Sequence, residues 1–159
     1  MRWALLPLVI SSPLAAQDLP QGCFARDYDA THLAAHPDQV VAALRLLFEP
    51  PDRFGDTWVL VAATLADQGR AAERGLGGQT LDQFARCDHY NSGPGCAIDC
   101  DGGSFELTAM SAGRIEISLI GFPVGPSDSC GGAFNLAEVW GQATTYRLDA
   151  AVPATCMVN

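Results

Sequence analysis

SFELTAMSAGRIEISLI, residues 104–120, holds two alternating runs joined by three small residues. In the first run Phe105, Leu107 and Ala109 fall on every second position, and in the second Ile115, Ile117 and Leu119 do the same. Successive side chains of a strand point to opposite faces, so a period of two puts each trio on one buried face. Ser111-Ala112-Gly113 is short enough to be a hairpin connection. The stretch predicts an antiparallel hairpin with one apolar face, the building unit of an all-β domain.

Outward from the hairpin the same grammar continues. On the C-terminal side, residues 121–132 form a Gly/Pro/Ser loop holding Cys130, 134–140 has the composition of a strand, and Thr144–Leu148 (TTYRL) reads as the last one. On the N-terminal side, Asp101-Gly102-Gly103 is a tight turn and 91–95 (NSGPG) a loop. The glycines at 69, 75, 77 and 78 leave room for one short strand or turn of helix before Cys87. Thr57–Leu65 (TWVLVAATL) is a β-branched, aromatic run of strand length, and Pro50-Pro51-Asp52 forces a break before it.

Gln39–Glu49 (QVVAALRLLFE) is ambiguous, because its Ala and Leu content favours helix. As a strand it places Val40, Ala42, Leu44, Leu46 and Phe48 on one face with Arg45 and Glu49 opposite, and we adopt that reading. Short strands at regular spacing with glycine-rich turns predict a small antiparallel barrel or sandwich of about seven or eight strands over 39–159. Residues 17–38, polar and irregular, read as an N-terminal arm pinned by Cys23.

The chain opens with Arg2, an apolar run from Trp3 to Ile10, and a small-residue stretch ending in Ala15-Ala16. This is the order of a signal peptide over 1–16, with Gln17 as the mature start. The run is far shorter than the roughly 20 residues of a membrane helix, so a soluble product without a membrane anchor is expected, periplasmic or secreted. Leu19-Pro20-Gln21-Gly22 before Cys23 fits poorly with lipid attachment.

Six cysteines (Cys23, Cys87, Cys96, Cys100, Cys130 and Cys156) behind such a peptide read as three disulfides. Fifteen connectivities are open; the arrangement put forward is Cys87 with Cys96, Cys100 with Cys130 and Cys23 with Cys156. The formal charge of −9 argues against nucleic acid and anionic membranes, whose phosphates call for clustered cations. It biases encounter toward cationic or neutral partners. Every basic residue is an arginine.

Several constellations touch on chemistry. His32 and His36 have a metal-ligand spacing, but Pro37 turns His36 away from helical geometry, and a third ligand would have to come from Asp27, Asp29 or His89. Asp99-Cys100-Asp101-Gly102-Gly103 lacks the glutamate that would close a calcium loop. In Asp128-Ser129-Cys130-Gly131-Gly132 a cysteine interrupts what would otherwise match a serine-protease nucleophile loop. No glycine-rich phosphate loop, nucleophile elbow, redox C-x-x-C or haem motif is present, so no cofactor or catalytic residue is assigned.

Residues 96–103 (CAIDCDGG), with 31–39 (THLAAHPDQ) upstream, resemble small bacterial periplasmic proteins of unassigned activity, over most of the mature chain. More coarsely, a signal peptide followed by a disulfide-bonded β-barrel is similar to the periplasmic lysozyme-inhibitor and lipocalin-like classes, with no functional motif matched. The expectation is an exported, non-catalytic binding protein. Its ligand would be a cationic or neutral protein, possible targets including a basic hydrolase to be inhibited, or a small molecule in a barrel mouth near Trp58 or Trp140. A metal-binding protein using His32 and His36 is the alternative, and a small hydrolase the third.

Overall fold

The computed structural model describes residues 18–99, 102–128 and 131–157. The expected signal peptide, the expected Gln17 start and the expected Cys100–Cys130 pairing fall outside them. In chain order the elements are β1 (Gly22–Asp27), α1 (Ala30–Ala35), β2 (Val41–Phe48), β3 (Thr57–Leu65), α2 (Gly69–Glu73) and β4 (Thr80–Tyr90). They continue with β5 (Gly93–Ala97), β6 (Ser104–Ser111), β7 (Arg114–Gly121), β8 (Pro123–Val124), β9 (Phe134–Asn135) and β10 (Thr144–Ala151), then a 3-10 turn, Pro153–Cys156. Strands β1 to β7 and β10 close an eight-stranded antiparallel barrel in which β1 to β7 pair in sequence order, β10 pairs with β7 and β10 returns to β1. β8 and β9 form a separate two-stranded ribbon.

Eight strands enclose a space just wide enough for side chains to fill. Here Leu44, Leu46, Phe48, Val59, Val61, Ile115, Ile117 and Tyr146, all essentially inaccessible, fill it. The hairpin is β6–β7, turning through Ala112-Gly113 after the pair Ser111↔Arg114. One inward position moves: a bulge between Leu107 and Ala109 exposes Ala109 and brings Met110 against the core instead. A second bulge, between Val41 and Ala43, lets Val40 and Val41 both be buried.

Gln39–Glu49 is strand and not helix, because β2 pairs along its length with β1 on one side and β3 on the other. Three expectations are corrected. Residues 17–38 are no arm, since β1 is a stave of the barrel; Cys23 and Phe24 are both buried, which hides the strand from a period-two search. The loop expected at 91–95 is largely β5, where Gly95 lies so close to β6 that a β-carbon would stand 2.7 Å from the Phe105 carbonyl oxygen. Of 134–140 only Phe134–Asn135 is strand.

The two ends of the barrel differ. At the capped end, segments 28–40, 66–79, 122–128 and 131–143 fold over the opening and bury Phe122, Val124, Phe134 and Leu136. Arg70 of α2 and Arg74 at its C-cap hold this cap: Arg70 Nη2 donates to the carbonyls of Asn135 and Ala137, Arg74 Nη1 donates to that of Ala133 at 3.1 Å, and both guanidiniums lie over the Phe134 ring. The stapled end carries the disulfides Cys23–Cys156 and Cys87–Cys96. Such bonds persist in oxidising compartments, which is where this chain belongs. Among the described residues no helix is long and apolar enough to cross a membrane.

Candidate functional site

Among the described residues, two places stand out as candidates for binding. The first is a cleft of about 420 Å³ on the barrel wall, at the seam where β10 meets β1. That seam is short: β1 and β10 share three residue pairs, ending at Ala25↔Asp149, whereas β10 shares six with β7. Beyond Ala25 the chain follows β2 instead, with Tyr28 N donating to Ala42 O at 2.9 Å. The strands part, and the cleft occupies the gap.

One wall is the outer face of the strands, where alternation turns Arg26, Arg114, Glu116 and Arg147 away from the core. Asp149 receives Arg114 Nε at 2.6 Å and lies 3.9 Å from Arg26, while Arg147 bonds Glu116 at 3.0 Å. The Arg114 hydrogen bond is the main reason the Asp149 carboxyl titrates below its ordinary range.

The other wall is an aromatic ladder. Asp29 caps α1 by accepting from His32 N at 2.7 Å. That turn stacks Tyr28 on His32 (4.8 Å between centroids) and His32 on His36 (4.1 Å), with Arg26 over Tyr28. Gln39 donates through Nε2 to Val41 O, so its Oε1 accepts from His32 Nε2 at 2.9 Å, and His36 Nδ1 donates to His32 O at 2.8 Å. Glu138 completes the cleft. Partial burial raises its carboxyl above the usual carboxylate range, with His36 and His32 nearby opposing the shift and Asp38 adding to it. Burial also raises the Tyr146 hydroxyl well above its ordinary value; it donates to Leu136 O at 2.9 Å.

The second place is the stapled end. Loop 49–56 between β2 and β3 is built around Asp52, whose Oδ1 accepts from Phe54 N and Asp56 N at 2.8 and 3.1 Å. Gly55 turns with φ +87°, a conformation side-chain-bearing residues rarely adopt. The loop holds Phe54 out, 75% exposed, with Arg53 over its ring. Tyr90, Val152 and Met157 are exposed at the same end. The same end of the barrel also carries Asp18, Glu49, Asp52, Asp56 and Asp88, and Arg86 pairs with Asp56 at 3.5 Å.

The residues expected to bind are dispersed. His32 and His36 do come together, but as stacked rings 20° from parallel. A metal ion lies close to the plane of a coordinating imidazole, so an ion in the plane of one ring would stand well off the plane of the other. Of the candidate third ligands, Asp27 pairs with Arg45 at 2.5 Å, Asp29 caps α1, and His89 is at the opposite end of the barrel. Among the described residues no three His, Cys, Asp or Glu side chains are grouped to hold a metal.

Trp58 lies on β3 opposite Arg86, outside both the filled barrel and the cleft. Trp140, 72% exposed, stands under the Arg70 guanidinium on the cap. Sequence reasoning missed Arg26, Arg114, Arg147 and Glu138, which meet only through barrel closure and a loop crossing. It also passed over Phe54, whose signal was available as an aromatic residue inside a Pro/Asp/Gly turn. Comparison with family models, curated proteins and solved structures returns no match.

Proposed function

We propose that this chain is an exported, non-catalytic binding domain, periplasmic or secreted, that docks a protein partner of net positive charge on the stapled end of its barrel. One observation carries the reading: a pre-ordered loop presents Phe54 to solvent, with Arg53 over its ring, at an end of the barrel that carries several carboxylates and is braced by two disulfides. An exposed aromatic residue on a rigid support is the kind of anchor that dominates interface energetics, because it buries a large area at little entropic cost. The carboxylates supply steering toward a basic surface.

A basic cell-wall hydrolase such as lysozyme is a concrete candidate partner, and inhibition is the consequence of docking over its active-site cleft. The test measures lysozyme activity and binding at micromolar protein, with Phe54→Ala alongside, between about 0.1 M and about 1 M salt, where the Debye length falls from about 10 Å to about 3 Å. Inhibition that weakens with salt and is lost in Phe54→Ala supports the proposal. The lysozyme candidate is removed if the enzyme is untouched. Docking at this end is overturned if a basic partner binds equally well with and without the Phe54 ring.

A further inference from the structure

The seam cleft lies on the barrel wall, away from the docking end. We propose that it is a second binding site, for a small zwitterion: a free α-amino acid or a dipeptide, its carboxylate on the arginine wall and its ammonium on Glu138.

Charge balance narrows the ligand. A purely cationic molecule would enter beside Arg26, Arg114 and Arg147; a purely anionic one would meet Glu138 on the facing wall. A ligand with one charge of each sign satisfies both walls. The arginines are available to it, because their present partners are solvent-exposed ion pairs; the Arg147 side chain is 63% exposed. Such pairs hold their geometry weakly and exchange readily for a better-placed carboxylate, to which a guanidinium offers a two-pronged donor.

Glu138 faces the opposite situation. It is half-buried, the two imidazoles, Asp38, Tyr28 and Tyr146 share its electrostatic surroundings, and it has no arginine of its own among the hydrogen bonds and ion pairs of the described residues. An ammonium group brought to it supplies that missing cation. Its backbone is fixed independently, N donating to Thr144 Oγ1 at 2.9 Å, so the side chain has a defined place to wait.

The Tyr28–His32–His36 ladder is likewise set before any ligand arrives, through Asp29 and Gln39. Pre-ordering both walls lowers the entropic cost of binding. A volume of about 420 Å³ sits at the small end of ligand sites, fitting one amino acid or two and excluding a long peptide.

The experiment is calorimetric titration of the whole protein with free L-amino acids and unblocked dipeptides, set against the same compounds N-acetylated or carboxamidated, and against acetate and methylammonium. Free zwitterions should bind saturably, and blocking either end should weaken binding by about tenfold or more. Glu138→Gln should weaken zwitterion binding similarly while leaving acetate binding no weaker than before, since the facing negative charge is gone; Arg147→Met should weaken both. Preference between amino acids and dipeptides identifies the natural class. The proposal is overturned if blocked compounds bind as tightly as free ones, if acetate binds as well as any zwitterion, or if none of the probes binds saturably. None of these results depends on Phe54, so docking at the stapled end stands or falls separately.

Discussion

Glu138 illustrates how one carboxyl reports the state of the cleft. Its proton affinity is higher in the folded chain than in an exposed chain, mainly because burial penalises the charged form. A raised folded-state affinity means that protonation favours folding: the benefit is complete below the ordinary carboxylate range and is lost as pH rises through the folded value. Glu138→Gln abolishes that dependence. Relative to wild type, the variant should gain stability between about pH 3 and about pH 8, by less than about 1 kcal/mol because the group is only half-buried. Urea unfolding at the two pH values checks this, and a difference that shrinks as pH rises would contradict it.

At the scale of elements, the cap is held by side chains from a helix too short to be stable alone. α2 has five residues and buries only Ala71, so its role in the fold rests on what Arg70 and Arg74 grip. Arg70 joins two carbonyls and two aromatic rings, Phe134 and Trp140. Replacing it with methionine keeps most of the apolar stem but leaves the carbonyls without their donor. The expected cost is about 1–3 kcal/mol, with segment 137–143 becoming the first site of proteolytic cutting. Unchanged stability and an unchanged cleavage pattern would show that Phe134 and Leu136 hold the cap by packing alone.

Element by element, legibility in the sequence followed burial. β3, β6, β7 and β10 were readable because one face is apolar and the other wet, or because β-branched residues crowd them. β1 and β5 were not: in β1 the disulfide and the core bury adjacent residues, and Gly93-Pro94-Gly95 has the composition of a turn although it runs between two paired strands. In β2 the Ala and Leu content pointed to helix, and pairing on both sides outweighed it. The candidate sites were less legible still. Their residues sit on separate strands and loops, and nothing local in Arg26, Arg114 or Glu138 announces that they will share a cleft.

For the whole molecule, closure is the step that couples fold to site. Every barrel pairing joins consecutive barrel strands, β10 following β7 once the β8–β9 ribbon is passed, except β1 with β10, which must bring together the two ends of the domain. That ladder is also short, three pairs against six on either outer side, and the Cys23–Cys156 bond, spanning 133 residues, sits at its stapled end. Closing so long a loop is entropically costly, and a crosslink removes most of that cost from folding by restricting the unfolded chain. Replacing both Cys23 and Cys156 with alanine should therefore destabilise the protein by about 2–5 kcal/mol. The loss should not be uniform. Local opening samples the least-supported contacts first, so amide hydrogens of 23–25 and 149–151 should exchange much faster than those of 115–119, which lie between two long ladders. In the wild type the same ranking should hold with a smaller spread, which keeps the comparison available even where the double variant folds poorly. Equal loss of protection in every strand would mean that the barrel opens only as a unit, and that the seam is no weaker than the rest of the wall.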